Sequence, residues 1–239
     1  MQDYAIQSPR TAPHSGPARF ELYTSVHKGL RAAMSDALLA VGRMDCDAAD
    51  EVAEVLARVR TLLSLCRDHL EHEECRIHPA MESRCPGAAA QTAAEHRDHL
   101  LAFVALEADV QGVERAVAGE RAGATLRLYR RLAVFVAENF RHMHTEEVEN
   151  TAILWQTHSD ADLAAIHQAI VTSITPERMA VYMRWMVPFL NPAERAALLG
   201  AMQANAPAPA FERVLGIVRP HLDAGDWRKL AAALGRTAD

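Results

Sequence analysis

The chain has 239 residues, half of them hydrophobic and only 5% aromatic, with a formal charge of -6. That length holds one large domain or a bundle with an appendage, and the acidic balance speaks against nucleic acid or an anionic membrane as partner. No apolar run reaches the length of a bilayer span and the first residues lack the apolar segment of a signal peptide, so the expected setting is the cytoplasm.

Residues 1–18 carry Pro9, Pro13, Gly16 and Pro17 among polar neighbours and read as a flexible N-terminal arm. Over residues 19–44 Phe20, Tyr23, His27, Leu30, Met34, Leu38 and Val41 fall on one helical stripe. Residues 45–47 interrupt it. A second helix is predicted over 48–76, with Val52, Leu56, Val59, Leu62, Cys66, His69 and Glu73 inward. Pro79, Pro86 and Gly87 mark the next connection, and His78, directly before Pro79, reads as a turn residue. The third and fourth helices are predicted over 88–119 and 122–156. No stretch alternates with the period of two that a strand requires. Four long amphipathic segments with short breaks make an all-α, up-down-up-down four-helix bundle over residues 19–158.

Beyond residue 158 the helices shorten. Pro176, Pro188, Pro192, Pro207 and Pro209 divide the segment, and Ser159, Thr175 and Asn191 stand where N-caps are expected. Four or five short helices are predicted, so residues 159–239 form a C-terminal helical extension packing on the bundle. Met179, Met183, Trp185 and Met186 are the expected packing group between the two parts.

The four cysteines, Cys46, Cys66, Cys75 and Cys85, form no Cys-x-x-Cys pair, which speaks against a zinc ribbon or a thioredoxin motif. Free thiols are expected, with Cys66 in the core.

The twelve histidines carry the functional signal. The second helix holds His69-x-x-x-Glu73 and the fourth holds His142-x-x-x-Glu146, and residues four apart share one helix face. His69 and His96 lie nearly equidistant from the connection near Ser83, and His96 and His142 from the connection near Glu120. His27 and His69 match less closely about Asp45, by roughly two turns at ~1.5 Å per residue. Four histidines from four helices therefore approach one layer, all on inward stripes. Unpaired carboxylates in such a core would be costly, and bound cations would turn that cost into binding energy. Imidazole with bridging carboxylate suits iron, manganese or zinc. Asp68, Glu74 and Glu147 are candidates to orient the ring nitrogens that face away from the metals.

The ordered set His27, His69-x-x-x-Glu73, His96, His142-x-x-x-Glu146 resembles the hemerythrin-like, or HHE cation-binding, family over about residues 20–155. The resemblance implies a non-haem di-iron centre, oxo- or hydroxo-bridged, with four histidines capping two iron ions and Glu73 and Glu146 bridging them. It also implies small-molecule ligands: O2, H2O2 or NO. Oxygen-carrying relatives place a further histidine four residues after the first on the third helix, where this chain has Leu100. They also use a His-x-x-x-x-Asp spacing on the fourth helix, where Glu147 stands here. The candidates for a fifth protein ligand are His99, near His96, and Tyr23, one turn before His27.

Fewer protein ligands leave more open coordination positions, which favours reaction with O2, H2O2 or NO, of oxidase or catalase type, over simple carriage. The alternative is a sensor or carrier of O2 or iron whose C-terminal helices signal to a partner. A third class is a helical interaction protein with a purely structural metal. Three uses are open to the C-terminal helices: closing the ligand entrance, forming a homodimer, or building a substrate pocket.

Overall fold

The computed structural model describes residues 19–237, so the arm expected over 1–18 lies outside the described residues. Those residues form helices and connections, with no strand among them. Four long helices, α1 (Thr24–Arg43), α2 (Ala49–His72), α4 (Ala90–Arg115) and α5 (Ala118–Thr145), pack in a closed ring: α1 on α2 and α5, α4 on α2 and α5. Each neighbour in the ring is antiparallel, which is the up-down-up-down bundle.

Its core takes in most of the stripes expected on the first two helices and the facing side chains of α4 and α5. Leu30, Met34, Leu56, Val59, Leu62, Phe103, Leu106, Val110, Leu128, Leu132 and Phe135 are buried and in one cluster. Each such side chain contributes on the order of 1.5–3 kcal/mol by leaving water. Cys66 lies in the same cluster. Gly42 lets α1 approach α5: a Cβ there would sit 2.9 Å from Cε2 of Tyr129.

The second helix runs past its expected end at residue 76, whereas the fourth ends where the sequence places it, and both carry a π-turn that the sequence does not show. α2 runs into a π-turn, Glu73–Ile77, and on through a short α3 (His78–Arg84). α5 runs into a second π-turn, Glu146–Asn150, and on through α6 (Thr151–Thr157). In the sequence Pro79 reads as the close of the second helix. A proline ring clashes with the carbonyl four residues back, and the wider π-turn just before it moves that carbonyl aside. The His78 N–H donates to the Glu73 carbonyl, five residues back. His78 is thus a buried helical residue and not a turn residue.

The remaining helices are α7 (Asp160–Ser173), α8 (Pro176–Met186), α9 (Pro192–Asn205), α10 (Ala208–Val218) and α11 (Ala224–Ala233). Side chains of Ser159, Thr175, Asn191 and Asp223 cap α7, α8, α9 and α11, and Ser159 and Asn191 complete capping boxes. A second core gathers Leu199, Phe211, Leu215, Val218, Trp227 and Leu230.

α8 is the seam between the two cores. Its Tyr182 and Trp185 belong to the bundle cluster, while Met183 and, just beyond the helix, Val187 belong to the C-terminal one. α1 lies against α8 at Gly29, where a Cβ would come within 2.9 Å of Met186 Cγ and 3.1 Å of its Cα. Lys28 pairs with Glu194 at 2.6 Å and Arg178 pairs with Asp68, fastening α9 and α8 to α1 and α2. Among the described residues no helix is long and apolar enough to cross a membrane.

Candidate metal centre

The six residues singled out by spacing come together at one level of the bundle. They fall in two groups of four whose ligand atoms lie within 4.8 Å of one another: His27, His69, Glu73 and Glu146, and Glu73, His96, His142 and Glu146. The two carboxylates are shared. Glu73 directs Oε1 at His69 Nε2 (3.1 Å) and Oε2 at His96 Nε2 (3.4 Å). Glu146 directs Oε2 at His27 Nε2 (3.5 Å) and Oε1 at His142 Nε2 (3.2 Å). One oxygen of each glutamate thus faces each histidine pair, the disposition of two bridging carboxylates between two cation positions.

The sequence left His27 and His69 about two turns apart in height, yet their Nε2 atoms are 3.0 Å apart. Helical side chains lean toward the N-terminus of their own helix. α1 and α2 are antiparallel, so His27 leans away from their connection and His69 leans toward it. The two rings close the offset from opposite sides.

A pseudo-two-fold relation runs through the site. Each His-x-x-x-Glu motif is followed by a second glutamate, Glu74 or Glu147, and each of these reaches the lone histidine of a neighbouring helix. Glu147 Oε1 accepts from His27 Nδ1 at 3.0 Å, and Arg31 holds the carboxylate by donating Nη1 to Oε1 and Nη2 to Oε2. Glu74 Oε1 lies 3.4 Å from His96 Nδ1. His142 Nδ1 donates to Glu95 Oε2 at 2.7 Å. The hydrogen bonds to Glu147 and Glu95 fix which ring nitrogen of His27 and His142 carries the proton and leave Nε2 free for a metal, whereas His96 Nδ1 has no hydrogen-bond partner. Sequence reasoning misses Glu95; its one signal is its place beside His96 on the helix that faces His142. Asp68, a candidate for the same task, pairs with Arg178 instead.

Both bridging glutamates open a π-turn, at Glu73 and at Glu146. A π-turn adds a residue to the turn and shifts the phase of the helix beyond it, a distortion frequent at functional sites. After it Ile77 and Asn150 are buried beneath the glutamates.

Burial and charge compete at every group. Burial disfavours the charged form of His27, but the carboxylates of Glu147, Glu73 and Glu146 outweigh it and raise its pKa to about 9. At His96 burial is again outweighed, by Glu146 and Glu73, and the pKa rises to about 10. His142 is raised for the same reasons. His69 goes the other way, to about 4, because burial dominates. Burial would raise Glu73 and Glu146, but the surrounding imidazoles hold both below their ordinary value. Glu147, despite burial, is drawn down to about 2 by His27 and Arg31. In the absence of cations, protons on the histidines balance the buried carboxylates.

This donor set fits a pair of cations. Glu73 Oε1 and both carboxylate oxygens of Glu146 are buried without a hydrogen-bond partner. Buried carboxylate oxygens rarely stay unpartnered, and four imidazole Nε2 atoms converge on the same space.

The other histidines divide. His99 is buried, its ring centroid 4.8 Å from that of His142, but it belongs to neither group of four. Leu100 is 36% exposed, so the position four residues after His96 faces outward. His99 instead lines, with Leu30, Met34 and Phe103, a pocket of about 10 Å³ against Glu73, His96 and His142. That is scarcely room for one water, which needs on the order of 10–15 Å³. Its pKa falls to about 4 through burial and the neighbouring His142 and His96, so it is neutral. Tyr23 is fully buried, and its hydroxyl has no hydrogen-bond partner; burial, Glu146 and Glu73 push its pKa well up. His78 stacks on His96 with centroids 4.9 Å apart and meets the Thr92 hydroxyl at 3.2 Å. Cys75 is exposed and Cys85 partly so.

Access is one-sided. Of the six, His69 is the most exposed, at 13% of its side chain, against 6% or less for the others. It borders a cavity of about 560 Å³ between the bundle and α7, α8 and α9.

The comparisons agree with this geometry. The family model of the Hemerythrin HHE cation binding domain matches residues 19–151. No curated protein and no solved structure matches the chain significantly.

Proposed function

The chain belongs to the hemerythrin HHE cation-binding family, and we propose that it is a non-haem di-iron protein that binds and reacts with O2, H2O2 or NO. One observation carries this reading: Glu73 and Glu146 each offer one oxygen to each of two histidine pairs. Two iron ions there would supply reversible one-electron redox chemistry and coordination positions open to a small ligand.

The chain's own groups do the rest. His27, His69, His96 and His142 hold the metals through Nε2. Glu147 and Glu95 keep the protons of His27 and His142 on Nδ1. Neutral His99 stands beside His96 and His142 as a hydrogen-bonding group next to the metal positions. With four histidines in the two groups and His99 outside them, coordination positions stay open, which favours reaction over carriage. In this reading residues 19–158 are the metal-binding unit and 159–239 cover its exposed side.

The second reading, a sensor or carrier of O2 or iron, draws on α7, which packs on the π-turn that starts at Glu73. A change at the metals would reach the C-terminal helices by that contact.

The test is anaerobic reconstitution with ferrous iron, counting of bound metal, and stopped-flow absorbance after mixing with O2, H2O2 or NO. Uptake of two irons per chain followed by irreversible oxidation, with O2 released from peroxide, supports an enzyme. An oxygenated form that reverts under vacuum supports the carrier. No iron uptake sinks both.

A further inference from the structure

The cavity of about 560 Å³ beside His69 falls within the range of small-molecule sites, roughly 300–1,000 Å³. Its walls come from both parts of the fold. α1 and α2 supply one side; α7, α8 and α9 supply the other. Most of its lining is apolar. Met179, Met183, Met186 and Met202 contribute four flexible thioethers, a lining that adapts to the shape of what it holds.

Charge narrows the occupant. Among the described residues no lysine or arginine lines the cavity, so nothing there pairs with an anion. Its acids are Glu21 and Glu73. Glu21 is engaged by the Thr24 and Thr151 hydroxyls, and Glu73 faces the histidines. In the metal-free protein a carboxylate ligand would meet two carboxylates and no lysine or arginine. Ser25, His167, Gln168 and Asn205 line the cavity and also face solvent, which puts neutral hydrogen-bonding groups at its mouth.

We propose that this cavity binds an uncharged, largely apolar organic molecule, its polar group at the mouth and its apolar body against His69. The ligand's place beside the metals rests on the metal-centre reading; its binding does not. The roof formed by α7, α8 and α9 thereby gives the site a chamber for an organic ligand, separate from the pocket of about 10 Å³ at His99.

The experiment separates these claims. Metal-free full-length protein is titrated with 1-aminoanthracene, a neutral aromatic amine whose emission shifts to the blue in an apolar site. Saturable binding at one per chain is expected. Val171→Trp and Met202→Trp, each filling the cavity from a partly exposed position, should weaken it at least tenfold while circular dichroism and melting stay near wild type. 1-Decanol should displace the probe at least tenfold better than decanoate. The titration is then repeated on cobalt- and zinc-loaded protein; paramagnetic cobalt should quench the bound probe severalfold more than zinc.

No saturable binding, or equal affinity in folded variants of both kinds, overturns the proposal. Equal displacement by decanoate overturns the uncharged class. Equal emission with both metals bound overturns the placement beside His69. If neither metal binds, the metal-centre reading fails, while the metal-free titration still decides the cavity.

Discussion

The Nε2 atoms of His96 and His142 lie 3.1 Å apart, close enough to share one proton in the metal-free protein. The same holds for His27 and His69 at 3.0 Å. A cation entering either position must displace that proton. Metal uptake is therefore expected to release protons and to strengthen as pH rises from about 6 to about 8. Calorimetric titration in buffers of different ionisation enthalpy reads the proton count; a count of zero contradicts the arrangement.

The same protons set the pH response of the metal-free fold. Groups with raised folded-state pKa stabilise fully below their unfolded value, 6.5 for histidine, and cease to as pH climbs through the folded value. Those values are about 9 at His27 and about 10 at His96. The melting temperature of metal-free protein should accordingly fall as pH climbs from 6.5 through that window. The metal-loaded protein should not share this fall, since its histidines carry no such proton.

Glu73 faces both histidine pairs, whereas His142 belongs to one. Glu73→Gln should empty both positions, leaving less than about a tenth of the metal, while His142→Ala should retain roughly half, because ligand loss acts on the position it serves. Elemental analysis after reconstitution, with circular dichroism to confirm folding, distinguishes them. Equal retention by the two variants contradicts the shared-carboxylate geometry.

Glu147 and Glu95 touch ring nitrogens and not the metal space. Their replacement by glutamine should keep the stoichiometry but weaken affinity by roughly 10–100-fold. Glu74, exposed and 3.4 Å from His96, should matter less. Competition against a chromophoric chelator gives the ranking.

At Gly29 any side chain presses on Met186. Gly29→Ala gains about 1 kcal/mol in helix propensity but presses on the Met186 backbone, which cannot swing aside, so it should destabilise, though less than a larger residue. Gly29→Val adds branching to the crowding and should destabilise by roughly 1–3 kcal/mol in urea melts. Unchanged stability in the valine variant would mean that α1 and α8 are not in close contact.

The bundle was legible because its signals are periodic. Leu30, Met34, Leu56, Val59 and Leu62 mark inward faces by spacing alone, and the six site residues share the same stripes. The caps at Ser159, Thr175 and Asn191 were legible for a local reason: each is a side chain bonding three residues on. The features that escaped lack a local signature. The π-turns at Glu73 and Glu146 arise from packing around the site, and Pro79 masked the first of them as a helix end. Glu95 acts on His142 across two helices. His78 stacks on His96 across a turn that the sequence presented as a break. The cavity is defined by helices α7, α8 and α9, whose placement on the bundle no periodicity specifies.

α8 gives Tyr182 and Trp185 to one core and Met183 to the other. A helix that completes two cores cannot leave one without opening the other. The bundle and the C-terminal helices are thus bound into one cooperative unit, in which melting of either exposes apolar surface of both. Free energy gained by binding a cation at the site would be felt as far away as Trp227, in a helix that does not line it.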